Sequence, residues 1–376
     1  MTYEQLRQNA MPFAQSLRDK LIAKMPVALA KAQGLDFIPY TVRGNAWAPG
    51  PFDGICWWTN GFWAGEMWLM YLMTGDAAYR TEAEHTEAIL DAAFADFEHL
   101  HHDVGFMWRI SAGVNHAITG SAESHTRALL AATLLAGRFN PLGFIRAWNG
   151  DCIGWAIIDC MLNISLLYWA SEQTGDPRFR MIAMAHADTT MRCFVRADGS
   201  VSHIVQFNPE TMAVEGIPAG QGYAPGSSWS RGQAWAMYGF ALSYLHTGKQ
   251  AYLETAKRVS EYFIAQVSDD WVPRCDFRQP DSVTLKDSCA GAVAACALLE
   301  LSKLDIDEAE RYFDAAIHLL TAMDAACADW GDENPAILQK CTGSYHGQDH
   351  HIAMTYADFY LIEAVSKLLG DPLLFW

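Results

Sequence analysis

The chain has no two cysteines spaced as CxxC, and its nine cysteines are an odd number. Zinc ribbons and a complete disulfide framework are therefore excluded as organising features, and a reducing compartment fits best. No apolar run reaches the roughly 18 residues that a membrane span needs. The polar opening Met1-Thr2-Tyr3-Glu4-Gln5 reads as an amphipathic helix without a signal-peptide core. Positive charge is scarce: 26 Lys and Arg stand against 43 Asp and Glu, for a net charge of −17. Without a basic stripe to neutralise phosphates, a nucleic-acid partner is excluded. A small anionic substrate is not, because one or two Arg in a cleft control the local field. Low-complexity linkers and composition breaks are also missing. The expectation is a soluble cytoplasmic protein with no membrane partner, folded as one domain over 1–376.

What is present is hydrophobic mass. With 51% hydrophobic residues, 14 Trp and only 18% charged residues, the chain fills a large core and still has rings to line a cleft. A loose echo recurs along it. An apolar, aromatic helix ends in Thr-Gly, and a more polar helix follows, at Thr74-Gly75-Asp76, Thr174-Gly175-Asp176-Pro177 and Thr247-Gly248. Leu369-Gly370-Asp371-Pro372 reads as a degenerate fourth copy. Gly closes a helix cheaply in the left-handed conformation, and Asp-Pro caps and opens the next, so each copy is a helical hairpin.

Apolar spacing of 3.6 residues gives about twelve helices, near 3–33, 61–74, 76–98, 104–118, 121–137, 153–174, 178–195, 229–247, 250–267, 287–303, 307–325 and 351–369. Helices before the Thr-Gly turns are apolar nearly all round, whereas those after them carry a charged face, as in Glu254-Thr255-Ala256-Lys257-Arg258. That contrast predicts an inner and an outer ring, which is an all-α (α/α)6 barrel of six hairpins. Val201-Ser202-His203-Ile204-Val205-Gln206-Phe207 alternates and predicts a short strand within a loop.

Two carboxylates stand out. Asp159 sits in Ile157-Ile158-Asp159-Cys160-Met161-Leu162, where lost hydration costs several kcal/mol unless a partner or a function compensates. Read as mid-helix it cannot cap, which leaves a satisfied buried carboxylate or a general acid with raised proton affinity. Asp103 follows His101-His102 at a helix start, where Asp is ordinarily an N-cap. A metal held by these three is disfavoured, since adjacent residues on a helix point in different directions. Arg231 offers a planar fork for a substrate carboxylate, against the ordinary reading of an ion pair with one of the many acids. His203 reads as a satisfied loop histidine. Gln221 and Trp229, in Gly-rich loops before an inner helix, suit sugar contacts, as does the loop 48–54 leading to Trp57-Trp58; Trp68 and Trp169 read as core.

Several of these segments, in this order, are similar to the unsaturated glucuronyl hydrolases of glycoside hydrolase family 88. The resemblance runs from about residue 55 to 365 and rests on Trp58-Thr59-Asn60-Gly61-Phe62-Trp63, His101-His102-Asp103-Val104-Gly105-Phe106, Ile157-Ile158-Asp159-Cys160 with Leu162-Asn163, Ser228-Trp229-Ser230-Arg231-Gly232-Gln233-Ala234-Trp235-Ala236 and Gly343-Ser344-Tyr345-His346. It implies an (α/α)6 barrel, no metal or other cofactor, and release of a Δ4,5-unsaturated uronic acid from the non-reducing end of polysaccharide-lyase products. It also implies that Asp159 protonates C4 of the enol ether and activates the water added at C5, with Asp103 assisting. Trp58, His203, Gln221, Trp229, Arg231 and Trp235 match substrate-binding positions, and Trp148 and Tyr345 match less closely. Asn60 stands where relatives often have Asp, which removes a negative charge near Trp58, and Tyr356-Ala357 stands where a Trp-Gly pair is common, which implies reshaped far subsites. The absence of a basic, Ser-containing segment before Trp376 implies no preference for sulfated fragments.

Three rivals remain at this point. A hydrolase of unsaturated rhamnogalacturonan disaccharides would differ in relative rates on the two disaccharides. A sugar 2-epimerase-type isomerase on the same barrel would need facing histidines, with His101 and His203 as candidates, and would release no aglycone. A non-enzymatic helical repeat would need no carboxylate in an apolar run. The aglycone, its linkage, its sulfation and the oligomeric state are not encoded in any of these motifs.

Overall fold

The computed structural model describes residues 1–50, 54–371 and 373–376; residues 51–53 of the Trp57-Trp58 loop and Pro372 of the fourth Thr-Gly-like turn lie outside it. The helices are, in order, α1 (Tyr3–Asn9), α2 (Met11–Ala32), α3 (Phe62–Thr74), α4 (Ala77–Ala95), α5 (Val104–Trp108), α6 (Val114–Thr119) and α7 (Ala122–Gly137). They continue with α8 (Cys160–Asn163), α9 (Ser165–Thr174), α10 (Pro177–Cys193), α11 (Ser230–Thr247), α12 (Gln250–Gln266), α13 (Ser288–Leu304), α14 (Ala309–Ala322) and α15 (Thr355–Leu369).

The Thr-Gly turns explain the hairpins locally. Gly75, Gly175 and Gly248 have φ of 73°, 68° and 66°, a conformation that costs L side chains about 1 kcal/mol or more. The threonine before each glycine bonds both ways. Its hydroxyl donates to the carbonyl four residues back (Met70, Ala170, Ser243) and accepts the N–H that opens the next helix (Asp76, Asp176, Lys249). Asp76 and Asp176 then cap α4 and α10 through Ala78 N and Arg178 N, both at 2.9 Å. Thr119-Gly120-Ser121, between α6 and α7, is a further copy not among the four expected from sequence. Gly370 is left-handed too, at 92°, but it ends α15 with no helix after it among the described residues, so the fourth copy opens no hairpin.

Two rings result. Helices α3, α5–α6, α8–α9, α11, α13 and α15 contact one another in a closed cycle, and α4, α7, α10, α12, α14 and α2 back them in turn. The fold is an (α/α)6 barrel. The inner helices are buried all round, as on α13, where every residue from Ser288 to Ser302 is inaccessible. On the outer α12 one face is buried, Tyr252, Leu253, Thr255, Ala256, Val259, Ser260 and Phe263. Trp68 and Trp169 are core, as their helical spacing predicts. Among the described residues no helix is long and apolar enough to cross a membrane.

Three departures from the sequence expectation are found, the last of which bears on the site. The helix expected over 3–33 breaks at Ala10, before Pro12. The helix expected over 104–118 is interrupted by a π turn, Arg109–Gly113. The helix expected over 153–174 begins instead as a strand, Trp155–Ile157, which pairs antiparallel with Ile204–Phe207 so that Ile157 faces Ile204. The strand foreseen around 201–207 thus exists, and its missed partner carries the chain straight into Asp159.

The barrel interior is closed below the site by the Trp376 side chain. It is fully buried, stacked on Tyr360 with ring centroids 5.8 Å apart, and surrounded by Phe62, Phe106 and Tyr238 from three other inner segments. A ring of this size is irreplaceable by collapse of rigid helices, so Trp376→Ala should lower the unfolding free energy by about 3–5 kcal/mol, read as a drop in the urea midpoint.

Candidate active site

At one end of the barrel a cavity of about 640 Å³ is lined by Trp57, Trp58, Asp103, Trp148, Asp159, Gln221, Trp229, Arg231 and Trp235, among others. Eight of the ten residues singled out from sequence are in this wall. His203 stands just behind it against Asp159 and Trp229, and Tyr345 lies outside it.

Asp159 is reached from the strand pairing. The ladder continues one step past Ile157, with Ile158 N donating to His203 O at 3.0 Å, so Asp159 and His203 arrive side by side. Asp159 is therefore not mid-helix. It occupies the N-cap position of α8, yet its side chain caps nothing. Its Oδ1 has no hydrogen-bond partner among the described residues, and His203 Nε2 stands 3.7 Å away. Only 14% of the side chain is exposed, to the cavity. Burial raises its pKa well above the ordinary carboxylate range, and the Asp103 charge adds to this against the opposing pull of Arg231. Such a carboxyl holds its proton where an ordinary Asp has lost it.

His203 is set by the Gly-rich loop. Gln221 N–H donates to Nδ1 at 2.9 Å, which makes Nδ1 the acceptor and leaves the ring proton on Nε2, facing Asp159. Gly220 allows this contact, because its φ is 58° and a Cβ there would lie 2.0 Å from Nδ1. Burial, then Arg231, pushes the His203 pKa down to about 3, so the ring is neutral.

Asp103 departs from its capping expectation. It occupies the N-cap position of α5 without a capping bond. Its carboxylate instead accepts from Asn163 Nδ2 at 3.0 Å, with His101 Nδ1 3.0 Å from Oδ2 and His102 Nε2 3.2 Å from Oδ1. Burial pushes its pKa up, but His102, His101 and Asn163 outweigh burial and hold it below the ordinary value. The two carboxyls of the cavity are thus driven in opposite directions. Asn163 links the two residues rather than the two carboxyls, since Nδ2 also donates to the Asp159 backbone carbonyl at 3.2 Å and Oδ1 accepts from Phe106 N at 2.7 Å. Gly105 is needed here, because a Cβ would fall 2.4 Å from the Asn163 backbone. The argument that adjacent residues diverge does not apply, because His101 and His102 precede the helix. With Asp103 they bring ligand-type atoms within 4.8 Å of one another, a spacing that could hold a metal ion. His102 Nδ1 is already bound to Ala147 O at 3.0 Å.

Arg231 already has a carboxylate. Nη1 donates to Asp287 Oδ2 at 2.9 Å and Nη2 to Gly343 O at 2.8 Å, while the guanidinium lies 4.7 Å over Trp229. Both members of the ion pair are at most 1% exposed. The ordinary ion-pair reading is the one realised, and only an edge of the group faces the cavity. Gly343 O also accepts from Gln221 Nε2 at 2.8 Å, and Tyr345 N donates to Gln221 O at 2.9 Å. The Gly343–His346 motif therefore braces the 220–223 loop through its backbone, and the Tyr345 ring packs on Tyr223 rather than on the cavity. Asn60 donates to Gly54 O and Ile55 O, both at 3.0 Å, which a carboxylate could not do. Tyr356 lies beneath Trp58, centroids 4.8 Å apart, behind the cavity floor rather than at an outer subsite. The indole N–H groups of Trp57, Trp229 and Trp235 lack partners among the described residues.

No protein-family model matches the chain. The unsaturated glucuronyl hydrolase of Bacillus sp. (strain GL1) is 40% identical over 334 residues, 85% of this chain and 88% of that protein. The chain belongs to the unsaturated glucuronyl hydrolases. An unsaturated chondroitin disaccharide hydrolase of Streptococcus pyogenes serotype M1 is 34% identical, covering 85% of this chain and 83% of its own length. The crystal structure of the Bacillus sp. GL1 glucuronyl hydrolase superposes with a TM-score of 0.88 at 35% identity, over 94% of this chain and 97% of that one. The protein is a glycosidase, and the isomerase, repeat-protein and rhamnogalacturonyl readings give way to that membership.

Sequence reasoning missed Asp287 and Asn163. Asn163 lies between Leu162 and Ile164, an amide in an apolar run, which is the same signal that marked Asp159. Asp287 before α13 reads as an ordinary cap, and nothing local points to Arg231. In this glucuronyl hydrolase, Asp287→Ala strands a buried guanidinium and should cost about 3–5 kcal/mol of stability. Thermal unfolding checks it, and Asp287→Ala combined with Arg231→Met should recover part of the loss.

Proposed function

We propose that the chain acts as a single catalytic unit that removes the Δ4,5-unsaturated uronic acid from the non-reducing end of lyase-generated oligosaccharides, with Asp159 as general acid and base and Asp103 assisting. The observation that carries this is the pair of carboxyls on one cavity wall, one with its pKa raised by burial and the other with its pKa lowered by the neighbouring His102, His101 and Asn163. Pairs of carboxyls pushed apart in this way divide acid and base roles. Solved structures of the family with dGlcA-Glc-Rha-Glc and with dGlcA-GalNAc6S support an oligosaccharide led by an unsaturated uronate.

In this reading the planar unsaturated ring rests among Trp58, Trp148, Trp229 and Trp235, where aromatic faces meet its apolar surface. Asp159 gives its proton to C4, and the positive charge formed at C5 is shared with the ring oxygen. The resulting Asp159 carboxylate, facing His203 Nε2–H, takes a proton from the water that adds at C5. The hemiketal at C5 then collapses to a ketone as the C5–O5 bond breaks. This leaves a hemiacetal at C1 that expels the aglycone alcohol and becomes an aldehyde. The net change is addition of one water, and the anomeric carbon is never attacked, unlike ordinary glycoside hydrolysis. The Arg231 charge, fixed by Asp287, acts on Asp159 as a field and not as a substrate clamp. All nine cysteines are free thiols, which supports a reducing, cytoplasmic location; recovery of the protein from the secreted fraction would refute that location.

Two outcomes test the assignment. Loss of ultraviolet absorbance by an unsaturated disaccharide should fall on the order of a thousandfold in Asp159→Asn, and turnover by that variant at the wild-type rate would overturn it. Because a raised folded pKa means that ionising Asp159 opposes folding, the wild type loses stability as pH rises above the unfolded value near 3.9. Asp159→Asn removes that cost. It should melt higher than the wild type at pH 8 and together with it at pH 4.

A further inference from the structure

We infer that the cavity continues over its rim into a distal subsite that takes an uncharged sugar of the aglycone. This rests on the reading above, in which the unsaturated ring sits against Asp103 and Asp159. Along the cavity wall Asp103, Trp229, Arg231 and Trp235 are buried, whereas Glu98 and His99 at the other end are exposed. An oligosaccharide whose terminal ring is lodged at the buried end therefore leaves past Glu98. A second depression of about 330 Å³ begins there and shares Glu98, His101 and Asn149 with the first. Its walls are Phe97 on one side and Thr133 and Leu134 of α7 on the other. Phe97 is 56% exposed, unlike most Phe in this chain. An open aromatic ring beside polar groups, in a groove continuous with a sugar-binding cavity, is a platform for the C–H face of a pyranose.

Charge decides which pyranose. Among the described residues Arg138 is the cation of this second wall. A guanidinium has five N–H donors, and all are spent. Nε donates to Arg146 O at 2.9 Å, Nη1 to Leu100 O at 3.3 Å and Asn149 Oδ1 at 2.9 Å, and Nη2 to Ala147 O at 3.0 Å and Trp148 O at 2.9 Å. No Arg138 donor remains for a sulfate or a second uronate, and the exposed Glu98 carboxylate repels both. The subsite thus suits aglycones whose second sugar is neutral.

The test compares kcat/KM, read as loss of double-bond absorbance, on three probes: dGlcA-Glc-Rha-Glc, the disaccharide dGlcA-Glc, and an unsaturated tetrasaccharide alternating uronate with N-acetylhexosamine. The neutral tetrasaccharide should be the best of the three. Phe97→Ala should lower the ratio of neutral tetrasaccharide to disaccharide by roughly three- to tenfold. Glu98→Gln should raise the anionic tetrasaccharide relative to the neutral one. An active wild type that treats tetrasaccharide and disaccharide alike, or a Phe97→Ala ratio equal to that of the wild type, overturns the subsite alone. A wild type inactive on all three overturns the hydrolase reading and the subsite with it.

Discussion

The carboxyl of Asp159 has been taken out of water without being given a full partner, and the rest of the site is arranged around that imbalance. Desolvation of an ionised carboxylate costs several kcal/mol, and the nearby Asp103 charge adds to the cost. The one cation in the opposite sense, Arg231, is held back by its own ion pair with Asp287 and by the Gly343 carbonyl. A freer guanidinium would move onto Asp159 and pin it as an anion. With Arg231 committed to Asp287, burial and the Asp103 charge prevail and the Asp159 pKa stays raised.

Holding four groups in such a balance requires a scaffold that does not relax. Asp103 comes from the start of α5, Asp159 from the start of α8, Arg231 from the first turn of α11 and Asp287 from the residue before α13. Each stands at the same end of an inner helix, and the aromatic plug of Trp235, Phe106, Tyr360 and Trp376 packs those helices from inside. Close-packed interiors of this kind transmit displacement rather than absorb it. The loop from Gly220 to Tyr223 is braced by the Gln221 side chain on Gly343 O and by the Tyr345 N–H on Gln221 O, so the Gln221 N–H keeps His203 in one tautomer.

How much of this was legible depends on the range of the interaction. The hairpins were readable because Thr, Gly and Asp form their bonds within five residues, and the two rings were readable because burial follows the 3.6 period. Trp155–Ile157 was read as helix because a short apolar run looks the same in a buried strand and a buried helix. That one error put Asp159 in mid-helix. The reading still led to a residue of the cavity wall, because the signal was a charge among Ile, Cys, Met and Leu, whatever backbone carried it. His101 and His102 were set aside on helical geometry that begins only at Val104. Arg231 was offered a substrate because its true partner lies 56 residues away.

By itself the sequence determined the barrel, its hairpin turns, the aromatic wall and the two aspartates, since each follows from residue type and local spacing. Only the tertiary structure decided which groups face one another. It gave Arg231 to Asp287, Gly343 O to both Gln221 and Arg231, and Asn163 to both aspartates. It also drove the Asp159 pKa up and the Asp103 pKa down, because a pKa is set by burial and by charges that neighbouring helices bring together, and neither is a property of a residue in its own chain segment.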